Sequence, residues 1–111
     1  MTELTADAFH TVGPADAIAE DFVVAHYLED RKLRVSVARV AGNLYAFDDL
    51  CTCADVACPL SGGLLTGTTI MCQCHGSRFD VATGAVVNGP ATQPLKVYDV
   101  QVVDGDVRIR I

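Results

Sequence analysis

All five cysteines of the chain fall between Cys51 and Cys74, and His75 follows the last of them directly. They form two ligand-like clusters, Cys51-Thr52-Cys53 and Cys72-Gln73-Cys74-His75. Residues one and three of a tight loop can both face one metal centre, and Cys72 and His75 can do so from a second loop. Thiolate and imidazole are the donors that zinc and iron–sulfur clusters select. A lone cysteine is ordinarily a small buried hydrophobe, but a run this dense points to a metal site. With zinc, Cys51, Cys53, Cys72 and His75 would make a tetrahedral, redox-silent centre. With iron and sulfide the same residues would hold a cluster that passes electrons.

Such loops need a scaffold that holds them face to face, and the flanking sequence reads as strands. Residues 22–28 and 33–40 are rich in β-branched and aromatic side chains. In the second run Leu33, Val35 and Val37 alternate with Arg34 and Ser36, the pattern of a half-buried strand. Ala41-Gly42-Asn43 is a turn signal, after which residues 44–47 return as the partner strand. Residues 96–103, the turn Asp104-Gly105 and residues 107–111 repeat the device at the end of the chain. Residues 14–20 offer at most a turn or two of helix. Short strands separated by turns predict an all-β fold, an antiparallel sandwich or barrel. The stretch 48–94, interrupted by six glycines from Gly62 to Gly89, reads as largely irregular. Within it, residues 65–71 are expected to run as one strand that brings the two loops together. Long loops in a small domain usually carry function. His10 and His26 lie in strand-like surroundings without ligand-spaced neighbours and read as ordinary residues.

Composition narrows the function. The 111 residues suit a single domain, 1–111, with half of them apolar. A formal charge of −6 argues against a nucleic-acid surface, which needs clustered Lys and Arg, and favours docking on a basic patch of a protein partner. The first nine residues lack the apolar core of a signal peptide, and no run approaches a membrane span. The expected location is therefore the cytoplasm, where structural disulfides are uncommon. No Ser-His-Asp order, phosphate-binding glycine loop or paired-carboxylate motif is present, so a non-catalytic role is expected.

The run Cys51-Thr52-Cys53, Pro59-Leu60-Ser61-Gly62-Gly63 and Cys72-Gln73-Cys74-His75-Gly76-Ser77-Arg78-Phe79-Asp80 resembles the Rieske iron–sulfur pattern. That pattern is Cys-x-His in one loop and Cys-x-x-His-Gly in the other. The likeness extends to residues 44–47, to Thr83-Gly84 and to Gly89-Pro90-Ala91. It implies two antiparallel sheets with a small cluster-binding subdomain built from loops at about 48–63 and 72–92. It also implies a [2Fe–2S] cluster and a segment containing Pro90 that shields it.

Two departures stand out. Cys53 occupies the place of the first-loop histidine, and the stretch from Cys53 to Leu60 is about two residues longer than usual. A Rieske cluster places two cysteines on one iron and two histidines on the other. By resemblance, Cys51 and Cys72 hold the first iron and His75 one site on the second. Cys53 is the favoured fourth ligand, Asp55 is a weaker oxygen alternative, and a decayed site is the third. Respiratory members carry an extra cysteine in each loop, joined as a disulfide, and Cys58 and Cys74 match those positions. High-potential members place Ser and Tyr where this chain has Ser77 and Phe79; Ser77 keeps a donor to cluster sulfur and Phe79 does not. The resemblance implies an electron carrier like the ferredoxin components that feed ring-hydroxylating oxygenases, with a reductase and an oxygenase as partners. The alternatives are a small subunit of a larger reductase, as in nitrite reductase, and a zinc or redox-sensing domain.

Overall fold

The computed structural model describes residues 9–29, 32–50, 59–74, 76–89 and 91–110. Among these residues ten strands form two antiparallel sheets. The larger contains β1 (Phe9–Pro14), β2 (Val23–Leu28), β3 (Leu33–Val40), β4 (Asn43–Asp48), β9 (Val97–Val103) and β10 (Asp106–Arg110), in the order β1-β10-β9-β4-β3-β2. The smaller contains β5 (Leu64–Thr66), β6 (Thr69–Met71), β7 (Arg78–Asp80) and β8 (Val86–Asn88), in sequence order.

Turn chemistry sets the hairpins. Ala41-Gly42 and Asp104-Gly105 both take positive φ at two successive residues (51° and 80°, 51° and 83°). That is the type I′ geometry whose twist matches paired strands. The large sheet curls until its outer strands meet: a methyl group added at Gly13 in β1 would lie 3.5 Å from the His26 ring in β2. A bulge between Thr11 and Gly13 sharpens the bend of β1.

Alternation along the strands sends side chains into two cores. Val35, Val37, Ala46, Tyr98, Val107 and Ile109 fill the inside of the curled sheet. Ala38 and Phe47, on the other face of β3 and β4, pack with Leu60, Ile70, Cys72, Phe79, Val81, Ala91 and Leu95 of the smaller unit.

The structure corrects the sequence reading in three places. The stretch 48–94 holds a whole four-stranded sheet between its turns, where a single strand was expected. Residues 65–71 form no single strand; they break at Gly67, with φ of 58°, into the β5–β6 hairpin. β3 is buried on both faces, not one, since Val35 to Ala38 are all fully inaccessible. Its second face is covered by the smaller sheet, which the pattern of β3 alone does not announce. The short helical turn expected within residues 14–20 is present as the 3₁₀ turn Ala15–Ala17.

Candidate metal centre

The second loop is a tight turn between β6 and β7. The Cys72 N–H donates to the Ser77 carbonyl at 2.7 Å, and the Gly76 N–H donates to the Cys72 carbonyl at 3.0 Å. Gly76 closes the turn with φ of 79°, a conformation other residues adopt only under strain. Cys72 is fully buried against the core of the smaller unit. Ser77 is buried too, and its hydroxyl oxygen accepts the Ala91 N–H at 3.0 Å. Its own hydroxyl proton remains to be donated, and the segment carrying Ala91 is thereby tied to the cysteine turn. Phe79 is fully buried one pleat further on. Cys74 is exposed and disulfide-bonded, and its bonding partner lies outside the described residues.

The first loop is fastened at its base. Leu50 and Pro59 form an antiparallel bridge, and the Leu60 N–H donates to the Asp49 carbonyl. The Asp49 side chain is fully buried. Its Oδ1 accepts the Ser36 hydroxyl at 2.6 Å and the Ser61 N–H at 2.8 Å, and its Oδ2 accepts Arg34 Nε–H. Composition gave no hint of this carboxylate. Its one signal was Ser36, a polar residue in an apolar run, whose partner a sequence does not name.

The returning limb of the first loop packs tightly on the second. A Cβ on Gly63 would fall 1.9 Å from the Met71 carbonyl oxygen, one residue before Cys72. Contact this close requires a residue without a side chain. Among the described residues the structure therefore brings together the base of the first loop, Cys72, Ser77 and the segment entering Ala91. Cys51, Cys53, Asp55, Cys58, His75 and Pro90 lie outside the described residues. Among the described residues, Cys72 and its surroundings fit an iron–sulfur group. A buried thiol stands beside a buried hydroxyl that retains a proton, in an apolar surround that excludes water.

The comparisons agree in sequence and in shape. The family model of the Rieske [2Fe-2S] domain matches residues 8–99. The chain is 32% identical over 111 residues to the anthranilate 1,2-dioxygenase ferredoxin subunit of Burkholderia cepacia, covering 100% of this chain and 99% of that one. It is 39% identical over 85 residues to the ferredoxin component of the naphthalene 1,2-dioxygenase system of Pseudomonas aeruginosa, covering 77% and 78%. Among solved structures, the Sphingomonas yanoikuyae B1 ferredoxin superimposes with a TM-score of 0.83 at 32% identity, over 92% of this chain and 97% of that one. A family match across nearly the whole chain, a buried Cys72–Ser77 turn and a two-sheet scaffold lead to one assignment: the chain belongs to the Rieske [2Fe–2S] domain family.

Proposed function

We propose that the chain, as one Rieske-type domain spanning 1–111, is a cytoplasmic one-electron carrier that accepts electrons from a reductase and delivers them to the oxygenase of a dioxygenase system. The observation that carries this reading is the match, in sequence and in shape, to ferredoxin components of dioxygenase systems. The chain matches small ferredoxins end to end, including 93% of the chain it matches in a carbazole 1,9a-dioxygenase oxygenase–ferredoxin complex, at a TM-score of 0.83 and 31% identity.

The bound [2Fe–2S] cluster supplies a site that gains and loses single electrons. The residues do the remaining work. Cys72 binds iron from within an apolar core. Ser77 holds Ala91 in place through its oxygen, leaving its proton for a sulfur atom. In this reading Cys51, Cys53 and His75 complete the ligand set, Pro90 covers the site, and a Cys58–Cys74 bridge ties the two loops together. No helix among the described residues is long and apolar enough to cross a membrane.

Iron and acid-labile sulfide analysis, with electron paramagnetic resonance of the dithionite-reduced protein, tests the centre. Mixing the reduced protein with an oxidised Rieske oxygenase tests the role. Rapid loss of the reduced signal is expected, and a reduced protein that never reoxidises on the oxygenase would defeat the carrier reading.

A further inference from the structure

Asp49 is a fully buried carboxylate with more structure around it than a loop anchor requires. An isolated buried carboxylate is strongly disfavoured, and it persists only when paired and hydrogen-bonded. Here both requirements are met by groups from two segments. Ser36 and Arg34 reach it from β3, and the Ser61 N–H comes from the limb returning from the first loop. The backbone of the same residue receives Leu60 and donates to the Arg34 carbonyl at 3.1 Å. One residue thus ties the chain on either side of residues 51–58, at Asp49 and at Leu60–Ser61, to β3 of the large sheet. Asp49 is also only two residues from Cys51, so its charge sits near whatever that loop binds. An unbalanced negative charge there would oppose addition of an electron.

We propose that Asp49 is the positioning residue of the first cluster loop, and that Arg34 neutralises it so that the anchor does not depress the reduction potential. The inference rests on the reading that this chain carries the Rieske cluster. Two functions are separable in it. The hydrogen bonds to Oδ1 join Ser61 to Ser36 of β3, and an amide oxygen can accept them equally well. The charge balance belongs to Oδ2 and Arg34, and an amide abolishes it. Arg34 has a side chain 46% exposed, so solvent weakens the field it exerts and the expected shift is modest.

The test compares holoprotein variants by redox titration and by the rate of iron loss to a chelator. Asp49→Asn keeps the Ser36 and Ser61 bonds and leaves Arg34 unbalanced. It should retain the cluster and favour reduction by about threefold to tenfold, where tenfold is ~59 mV for a one-electron couple. Adding Arg34→Gln removes the leftover charge and should return the potential to the wild-type value. Asp49→Ala removes the acceptor and should speed iron loss about tenfold or more. A purely packing role would alter melting temperature and leave the potential where it was. An Asp49→Asn protein with an intact cluster and an unmoved potential would overturn the charge argument. Asp49→Ala protein that keeps iron as long as wild type would overturn the anchoring. If Asp49→Ala does not fold, Ser36→Ala removes one of the same bonds and should speed iron loss to a smaller degree; an unchanged rate there overturns the anchoring as well. Wild-type protein lacking iron and sulfide would sink the cluster reading along with this inference, which separates the two failures.

Discussion

At the scale of single residues, the chemistry turns on whether a thiolate stands where relatives have an imidazole. If Cys53 binds iron, it adds a negative charge that a neutral histidine would not. The reduction potential should then lie below that of a two-histidine relative with similar surroundings, and Phe79, lacking a hydroxyl, pushes the same way. Cys53→His should raise the potential, and Cys53→Ala should cost most of the bound iron. Cys72→Ala should empty the site outright, because Cys72 is the buried thiol around which the second turn is built. Iron analysis and film voltammetry measure both outcomes, and full iron content in Cys72→Ala would break the ligand assignment. His26 gives a different prediction. Burial lowers its pKa below the ordinary 6.5, and its Nε2 has no hydrogen-bond partner among the described residues. The folded protein therefore binds fewer protons there than the unfolded chain does. Stability from the neutral ring is complete above the unfolded value and is lost as pH falls through and below it. His26→Leu should flatten the decline in urea stability between about pH 7 and pH 5. An unchanged pH profile in that variant would show that another group governs acid unfolding.

At the scale of elements, the hairpins were legible and the smaller sheet was not. Asp104-Gly105 announces a type I′ turn because few other pairs accept two positive φ values, whereas at Ala41-Gly42 only the glycine favours one and the sequence marks no more than a turn. β5 to β8 are three residues each, too short for any alternation to register. What holds them is contact rather than pattern: Ile70 and Phe79 face Ala38 and Phe47 across the two sheets. For the same reason the full burial of β3 and the role of Asp49 escaped the sequence, since both depend on what lies opposite. The turn that begins at Cys72 was legible through spacing, whereas the buried carboxylate of Asp49 depends on a tertiary partner. Gly63 offers a direct test of that packing. A methyl group there meets the Met71 carbonyl at 1.9 Å, and backbone on both sides cannot swing away as a side chain would. Gly63→Ala should destabilise the protein by about 2 kcal/mol or more, read by denaturant unfolding. It should also accelerate iron loss, because Met71 leads directly into Cys72. A variant within about 0.5 kcal/mol of wild type would show that the two limbs are not in close register.

At the scale of the whole molecule, the question is how a protein of charge −6 finds its partners. Exposed carboxylates are spread over much of the surface, among them Asp16, Asp21, Glu29, Asp99, Asp104 and Asp106. The longest dimension is 41 Å, several times the screening length of about 8 Å at physiological salt. Charges at the far end are therefore invisible to a docked partner, and only those near the contact contribute to encounter. At low salt the screening length grows to about 30 Å at 0.01 M, and nearly the whole −6 acts together. Attraction to a basic docking patch should then speed electron delivery, and the rate should fall about tenfold or more between 0.01 M and 0.5 M salt. The slope at higher salt should be shallower, because by then only the local charges remain effective. Stopped-flow mixing of reduced protein with an oxidised oxygenase across that range measures both parts of the curve. A rate that rises steadily with salt would mean the two proteins repel, and would place the acidic surface away from the docking face.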